Sequence, residues 1–224
     1  MPTPPPPTAW VFDLSRVPEG EDLVGIGADL EVPTLYAAYR AGVFPMGVGE
    51  HGAPPIGWWS PDPRGILRVG DLAVSRSLRK VLPRFDIRVD TAFEEVVTAC
   101  ADPGRRGRWI TSEVAQAYVR LHRAGWAHSV EAWQQDRLVG GLYGVAIGGL
   151  FAGESMFHRA RDASKAALVG LHRLLAADAD PRRLLDVQWR TEHLATFGVT
   201  NVRRSVYRDL LQDALRAPLP AAFA

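Results

Sequence analysis

Two short runs carry side chains able to handle a proton or an amine. In Leu184-Leu185-Asp186-Val187-Gln188 the apolar residues predict a buried strand, and residues two apart on a strand share a face, so Asp186 and Gln188 are expected side by side. A carboxylate at Asp186 can accept one N–H of the Gln188 amide, which aims the amide oxygen at an incoming amine. An amide has no useful basic pKa, so Gln188 reads as an orienting acceptor and not as a general base. The same pair would also satisfy a buried strand with no chemistry attached. In Gly153-Glu154-Ser155-Met156-Phe157 the Glu154 carboxylate stands on a second predicted strand, where it suits an ammonium or a guanidinium; a surface ion pair with Arg159 or Arg161 is the plain alternative.

Other patterns carry less. Ser77-Leu78-Arg79-Lys80 matches S-x-x-K, but the S-D-N and K-T-G partners of a serine nucleophile are absent, as are G-x-S-x-G, Walker A, H-E-x-x-H and G-x-G-x-x-G. His122 and His128 have no third ligand at metal spacing, so no metal site is expected.

The elements that must position these residues read as a mixed α+β fold. Pro-rich residues 1–10 are expected to form a flexible arm, with structure beginning near Leu23. A helix is predicted over Pro33–Ala41, ended by Gly42, and an ordered Pro/Gly-rich loop over Val43–Pro63, anchored by Trp58-Trp59. Beyond a boundary near residue 62, strands are predicted at Gly65–Val69, Ile87–Asp90, Ser129–Gln134, Leu138–Ile147, Leu150–Phe157 and Leu184–Gln188. Helices are predicted at Ser75–Val81, Thr91–Ala101, Thr111–Ala124 (with Ala115, Tyr118, Val119 and His122 inward), Ala163–Ala176 and Ser205–Ala214. Gly148-Gly149 marks a hairpin.

With 224 residues, 47% of them hydrophobic and 23% charged, the chain has an ordinary globular composition. No apolar run approaches the ~18 residues of a membrane span, and Met1–Thr8 lacks the basic region and apolar core of a secretory leader. The single cysteine, Cys100, fits a reducing cytosol. A net charge of +1 argues against broad wrapping of a nucleic acid, though a local patch remains compatible with it.

Seven strings in order carry a resemblance. Trp58-Trp59-Ser60-Pro61-Asp62-Pro63-Arg64, Ser75-Arg76-Ser77-Leu78, Trp109-Ile110-Thr111, Ala127-His128-Ser129-Val130-Glu131 and Leu138-Val139-Gly140-Gly141-Leu142-Tyr143-Gly144-Val145 precede the two runs that opened this section. From about Leu23 to Ala214 the sequence resembles the bacterial leucyl/phenylalanyl-tRNA–protein transferases. The resemblance implies an enzyme that moves Leu or Phe, and Met less well, from aminoacyl-tRNA to the N-terminal Arg or Lys of a protein, creating a degradation signal. It implies a small N-terminal domain (1–62) packed on a GNAT-like, acyl-CoA N-acyltransferase-like mixed-sheet domain (63–224), with no metal and no cofactor. Contact with the 3′ end and acceptor stem of the tRNA, a cytoplasmic location, no membrane and a monomer are the accompanying expectations.

The resemblance also implies roles for residues. Asp186, Gln188 and Glu154 would be catalytic, with Glu154 holding either the substrate amine or the basic side chain of the acceptor. Leu142, Phe151, Ser155, Met156, Leu168, Leu171 and Leu185 would line the pocket for the transferred side chain. Tyr39, Trp109 and Tyr118 would lie near the terminal adenosine, and Arg76, Arg79, Lys80 and Arg84 would form a patch for tRNA phosphates. The chain departs from the family at Ala28, at Val187, at Leu171 (an aromatic pocket position) and at Met46, where a Trp is usual, so base stacking is weaker here or supplied by another ring. Two other readings stand beside it. The strand–hairpin–helix order from Leu138 to Ala176 fits an acetyl-CoA-dependent N-acetyltransferase, although the loop His158–Ala163 has no glycine. A non-catalytic module binding tRNA ends or basic N-termini is the second.

Overall fold

A computed structural model describes residues 2–105 and 107–224. Two sheets organise the chain. The small one holds β1 (Leu23–Ile26), β2 (Phe44–Gly47) and β3 (Ile56–Trp59) in the order β1-β3-β2, all antiparallel, with helix α1 (Val32–Arg40) between the first two strands. The large one is built from β4 (Arg64–Arg68), β5 (Asp86–Val89), β6 (Ala127–Gln134), β7 (Arg137–Ile147), β8 (Leu150–His158), β9 (Leu184–Gln188) and β10 (Thr200–Val202). Its order is β10-β4-β9-β8-β7-β6-β5, antiparallel except for β8 and β9, which run parallel through the crossover helix α5 (Ala163–Ala176). The remaining helices are α2 (Arg76–Val81), α3 (Phe93–Cys100), α4 (Ser112–Arg123), α6 (Glu192–Ala195) and α7 (Arg204–Leu215).

Each face of the large sheet buries its own core. Alternation along β7 sends Leu142 and Ala146 toward α5, and Tyr143 and Val145 toward α3 and α4. The second core runs on into Leu35, Tyr39, Phe44 and Trp58, so the small sheet is packed on the same apolar mass as the large one. Helix α5 is apolar nearly all round and lies close to the sheet; a Cβ at Gly170 would come within 2.7 Å of Ile87 Cγ2. Side-chain caps start the helices as expected: Ser75 Oγ accepts from Leu78 N at 3.2 Å and Thr111 Oγ1 from Val114 N at 3.3 Å.

Three expectations are corrected. The Val43–Pro63 segment is a strand pair, not a loop; β2 is an edge strand bonded only to β3, where Pro45 lacks no needed donor. The N-terminal arm is an ordered strap. Thr8 bonds Thr34 at 2.9 Å, Trp10 Nε1 donates to Asp29 at 2.7 Å, and Phe12 packs on Trp58 with centroids 4.7 Å apart. Prolines pre-extend this segment and reduce the entropy lost when it docks; Met1 lies outside the described residues. On α4 the buried stripe is Val114, Ala117, Tyr118 and Leu121, rotated from the expected face because Val114 and Leu121 are the larger apolar groups. Finally, α6 and β10 were not anticipated, being only four and three residues long.

Candidate active site

The pairing of β8 with β9 ends at Ala152 and Asp186. Beyond that point each strand carries one extra residue. Opposite β7, Tyr143 faces Ser155 and Gly144 faces Gly153, which leaves Glu154 bulged out of β8. Opposite β4, Ile66 faces Asp186 and Gly65 faces Gln188, which leaves Val187 bulged out of β9. Bulges re-aim side chains and stop pairing. Here they open the sheet and turn two polar side chains toward each other: Gln188 Nε2 donates to Glu154 Oε1 at 3.2 Å.

This geometry corrects the expected Asp186–Gln188 pairing. Gln188 has φ +56, so the two-residue alternation fails there. Asp186 Oδ1 accepts the backbone N–H of Gln188 at 2.9 Å instead of its side-chain amide. The rest of the Asp186 carboxylate is taken up by Arg64, which donates from Nε at 2.8 Å and from Nη2 at 2.6 Å, and by the Tyr207 hydroxyl at 2.7 Å. Both charged side chains of that pair are 1% exposed. Arg64 also donates to the Gly42 carbonyl and lies 4.5 Å over the Tyr207 ring. Sequence reasoning missed Arg64 and Tyr207; a buried carboxylate with no assigned cation was the available signal.

Glu154 has a second set of partners. Its Oε2 accepts from the Tyr118 hydroxyl at 2.8 Å, so Tyr118 must in turn accept from Tyr39, 2.5 Å away. Burial pushes the Glu154 carboxyl up to about 7, against the Tyr39 and Tyr118 hydroxyls, which lower it. Burial, with the Glu154 charge nearby, holds both phenols well above their ordinary value, so they stay protonated donors. Among the described residues none donates to the Gln188 amide oxygen, which can accept from a third group.

A cavity of about 300 Å³ opens at this pair. Leu142, Ser155, Met156, Leu168, Leu171 and Leu185 line it with Glu154 and Gln188, and Arg105, Gly153, Val187, Thr191, His193 and Leu194 complete the wall. Six of the seven pocket residues inferred from sequence therefore meet around one space. Phe151 does not; it is fully buried and packs on Phe223 with centroids 5.4 Å apart. Tyr39 and Tyr118 are corrected as well, since both are buried with no ring face open to a base. Trp109 keeps partial exposure and lies under the turn at Gly52, where a Cβ would fall 2.0 Å from the Trp109 carbonyl oxygen.

A larger cavity of about 540 Å³ lies between α2, the β8–α5 connection and α6, and shares His193 with the first. Its lining mixes Leu78, Val81, Phe85 and Phe197 with four charged groups, Arg84, Arg161, Asp162 and Lys165, whereas Arg105 and Glu154 are the charged groups of the leucine-rich smaller space, which therefore suits an aliphatic or aromatic guest better. Arg76, Arg79, Lys80 and Arg84 are all exposed on α2 and the turn after it, and only Arg84 lines the larger cavity. No helix among the described residues is long and apolar enough to cross a membrane.

Comparison with known proteins agrees over nearly the whole length. A family model described as "Leucyl/phenylalanyl-tRNA protein transferase" matches residues 66–212, and one described as its N-terminal domain matches residues 28–62. A protein of Oleidesulfovibrio alaskensis with the name leucyl/phenylalanyl-tRNA–protein transferase is 46% identical over 220 residues, covering 94% of this chain and 87% of its own. Relatives with the same name from Anaeromyxobacter dehalogenans (47% over 222 residues, 93% of both chains) and Tolumonas auensis (48% over 207 residues, 91% and 86%) are similar in extent.

Proposed function

The chain belongs to the leucyl/phenylalanyl-tRNA–protein transferase family, and we propose on that premise how its site performs the transfer. It is an aminoacyltransferase that takes its residue from aminoacyl-tRNA and delivers it to a protein. The observation that carries the proposal is the Gln188–Glu154 hydrogen bond at the wall of an open, leucine-rich cavity.

The transferred Leu or Phe side chain fills the cavity, and Met enters less well. That placement sets its ester carbonyl beside Glu154 and Gln188. Glu154 is the only acid among the described lining residues, which suits an acceptor arriving with a positive N-terminus and the cationic side chain of Arg or Lys. The Glu154 carboxylate takes one proton from the acceptor ammonium. Gln188 Oε1 accepts a second N–H and aims the freed lone pair at the carbonyl. The N–C bond forms, the bond from the carbonyl carbon to the ribose oxygen breaks, and that oxygen leaves with the second amine proton. The third stays on the new amide. The ester is already activated, so orientation supplies much of the rate, up to roughly 7–11 kcal/mol in well-aligned systems. Asp186 touches none of the reacting atoms and is a positioning residue, acting through the Gln188 backbone.

The exposed Arg76, Arg79, Lys80 and Arg84 are the proposed contacts for acceptor-stem phosphates. Trp109, with its partial exposure, remains a candidate contact for the terminal nucleoside. Residues 1–62 and 63–224 act as the two domains, the protein works as a monomer, and it works in the cytoplasm, where charged tRNA is available. Transfer of labelled Leu and Phe from charged tRNA to peptides beginning with Arg, Lys or Gly tests the acceptor rule. Label on the Arg and Lys peptides alone is expected; equal label on the Gly peptide would refute it.

A further inference from the structure

The residue after Gln188 is a tryptophan with no part in the chemistry described above. Trp189 is 37% exposed, among the few large apolar side chains with that much surface. It is also held in place. Its Nε1 donates to Asp22 Oδ2 at 2.9 Å, its ring meets Phe44 edge-on with centroids 5.2 Å apart, and Trp59 stands 6.4 Å away. Phe44 in turn lies 5.2 Å from the Arg64 guanidinium, the partner of Asp186. The indole is thus fixed by the same framework that fixes the Gln188 backbone. A half-open ring held this rigidly is a ready surface for another planar group.

The substrate supplies one at the required place. With the transferred side chain in the apolar cavity and the ester beside Gln188, the ribose and base begin one ester bond further out. Adjacent Cα atoms are only about 3.8 Å apart, so the backbone of Trp189 lies beside that of Gln188, just outside the residues that line the cavity. The buried Tyr39 and Tyr118 offer no ring face, and Trp109, which is partly exposed, lies against the Gly52 turn and is not next in the chain to Gln188. We propose that the Trp189 indole is the platform on which the terminal base of the aminoacyl-tRNA stacks; this rests on the transfer reading above. A guanidinium from the acceptor is the competing guest for such a ring. The carboxylate beside the indole is already engaged, since Asp22 Oδ1 accepts from Asp62 N at 3.0 Å and Oδ2 from the indole itself. A neutral base needs no free carboxylate there, and base–aromatic stacking tolerates any base.

The test measures binding without chemistry. One probe is 3′-(phenylalanylamino)-3′-deoxyadenosine, whose amide link cannot transfer its residue; the other is phenylalaninamide, which has no base. Trp189→Leu keeps an apolar side chain and removes the ring, and Trp189→Phe keeps a ring. Trp189→Leu is expected to lose about tenfold or more in affinity for the adenosine probe and nothing for phenylalaninamide, with Trp189→Phe within about threefold of the parent. Unchanged affinity for the adenosine probe in Trp189→Leu, or an equal loss for both probes, overturns the proposal. So does a change confined to the KM for the Arg-starting peptide, which would put the acceptor guanidinium on the ring. If the parent protein transfers label but its adenosine affinity ignores Trp189, this inference fails and the transfer reading stands. If Trp189-dependent binding occurs in a protein that transfers nothing, the reverse holds.

Discussion

Asp186 holds Gln188 by its backbone: the Gln188 N–H donates to Asp186 Oδ1 at 2.9 Å, while the Gln188 side chain belongs to Glu154. The carboxylate is committed on every side, to Arg64, to Tyr207 and to that N–H, and it sets the position at which β9 ends.

Removing this carboxylate should therefore unfold before it merely inactivates. Asp186→Ala leaves the Arg64 guanidinium buried without its partner, and such an uncompensated charge costs about 3–5 kcal/mol. Urea denaturation should show a clearly lower midpoint for Asp186→Ala. The double variant Arg64→Met/Asp186→Leu should recover a large part of the loss, because no charge is then left unpaired. A double variant less stable than Asp186→Ala would contradict the role given to the pair.

Glu154 gives a pH signature in both rate and stability. Its folded pKa of about 7 lies above the ordinary glutamate value of 4.5, so the folded state holds the proton more tightly than the unfolded chain does. The resulting stabilisation is full below about pH 4.5 and is lost as pH rises through about 7. Glu154→Gln, which cannot ionise, should therefore melt higher than the parent at pH 8, with the difference shrinking toward pH 5. The ionised form is the proton acceptor, so activity follows the opposite course. The deficit of Glu154→Gln in kcat/KM should be largest near pH 7 and smallest above about pH 9, where the acceptor amine, with a pKa of about 8, is already neutral. A deficit independent of pH would remove Glu154 from the proton path.

Leu171 shares the wall of the 300 Å³ cavity with Leu168, one helical step away on α5. Leu171→Phe should fill part of that space and shift the Phe-to-Leu transfer ratio toward Leu, by about tenfold or more if a ring no longer fits. Competition between the two charged tRNAs reads the ratio directly. An unchanged ratio would mean that the transferred side chain lies elsewhere.

Much of this site was legible in the sequence, and the reasons differ by residue. The lining from Leu142 to Leu185 followed from the family resemblance, position by position, and only Leu168 and Leu171 were also tied together by helical spacing, because a regular helix translates sequence distance into direction. Glu154 and Gln188 were visible as chemistry, but their contact depends on two bulges and one positive φ, none of which has a periodic signal. Tyr39 and Tyr118 were placed near the nucleoside by the resemblance alone, and tertiary packing buries their rings and engages their hydroxyls with each other and with Glu154. The small sheet was hidden because Pro45, Pro54, Pro55 and several glycines weigh against strands, and only knowledge of which strand lies at an edge removes that objection. Trp189 was passed over because its significance lies in the fixed end of β9 and in Phe44, far away in the chain.

The central claim is that the Gln188 amide, oriented by Glu154, aims the acceptor amine at the ester. Single-turnover transfer of labelled leucine from charged tRNA to an Arg-starting peptide, in the parent and in Gln188→Ala with matched thermal melts, tests it most directly. A rate lower by about 100-fold or more, with little change in affinity for the charged tRNA, is the expected result. A folded Gln188→Ala that transfers at the parental rate would contradict the account.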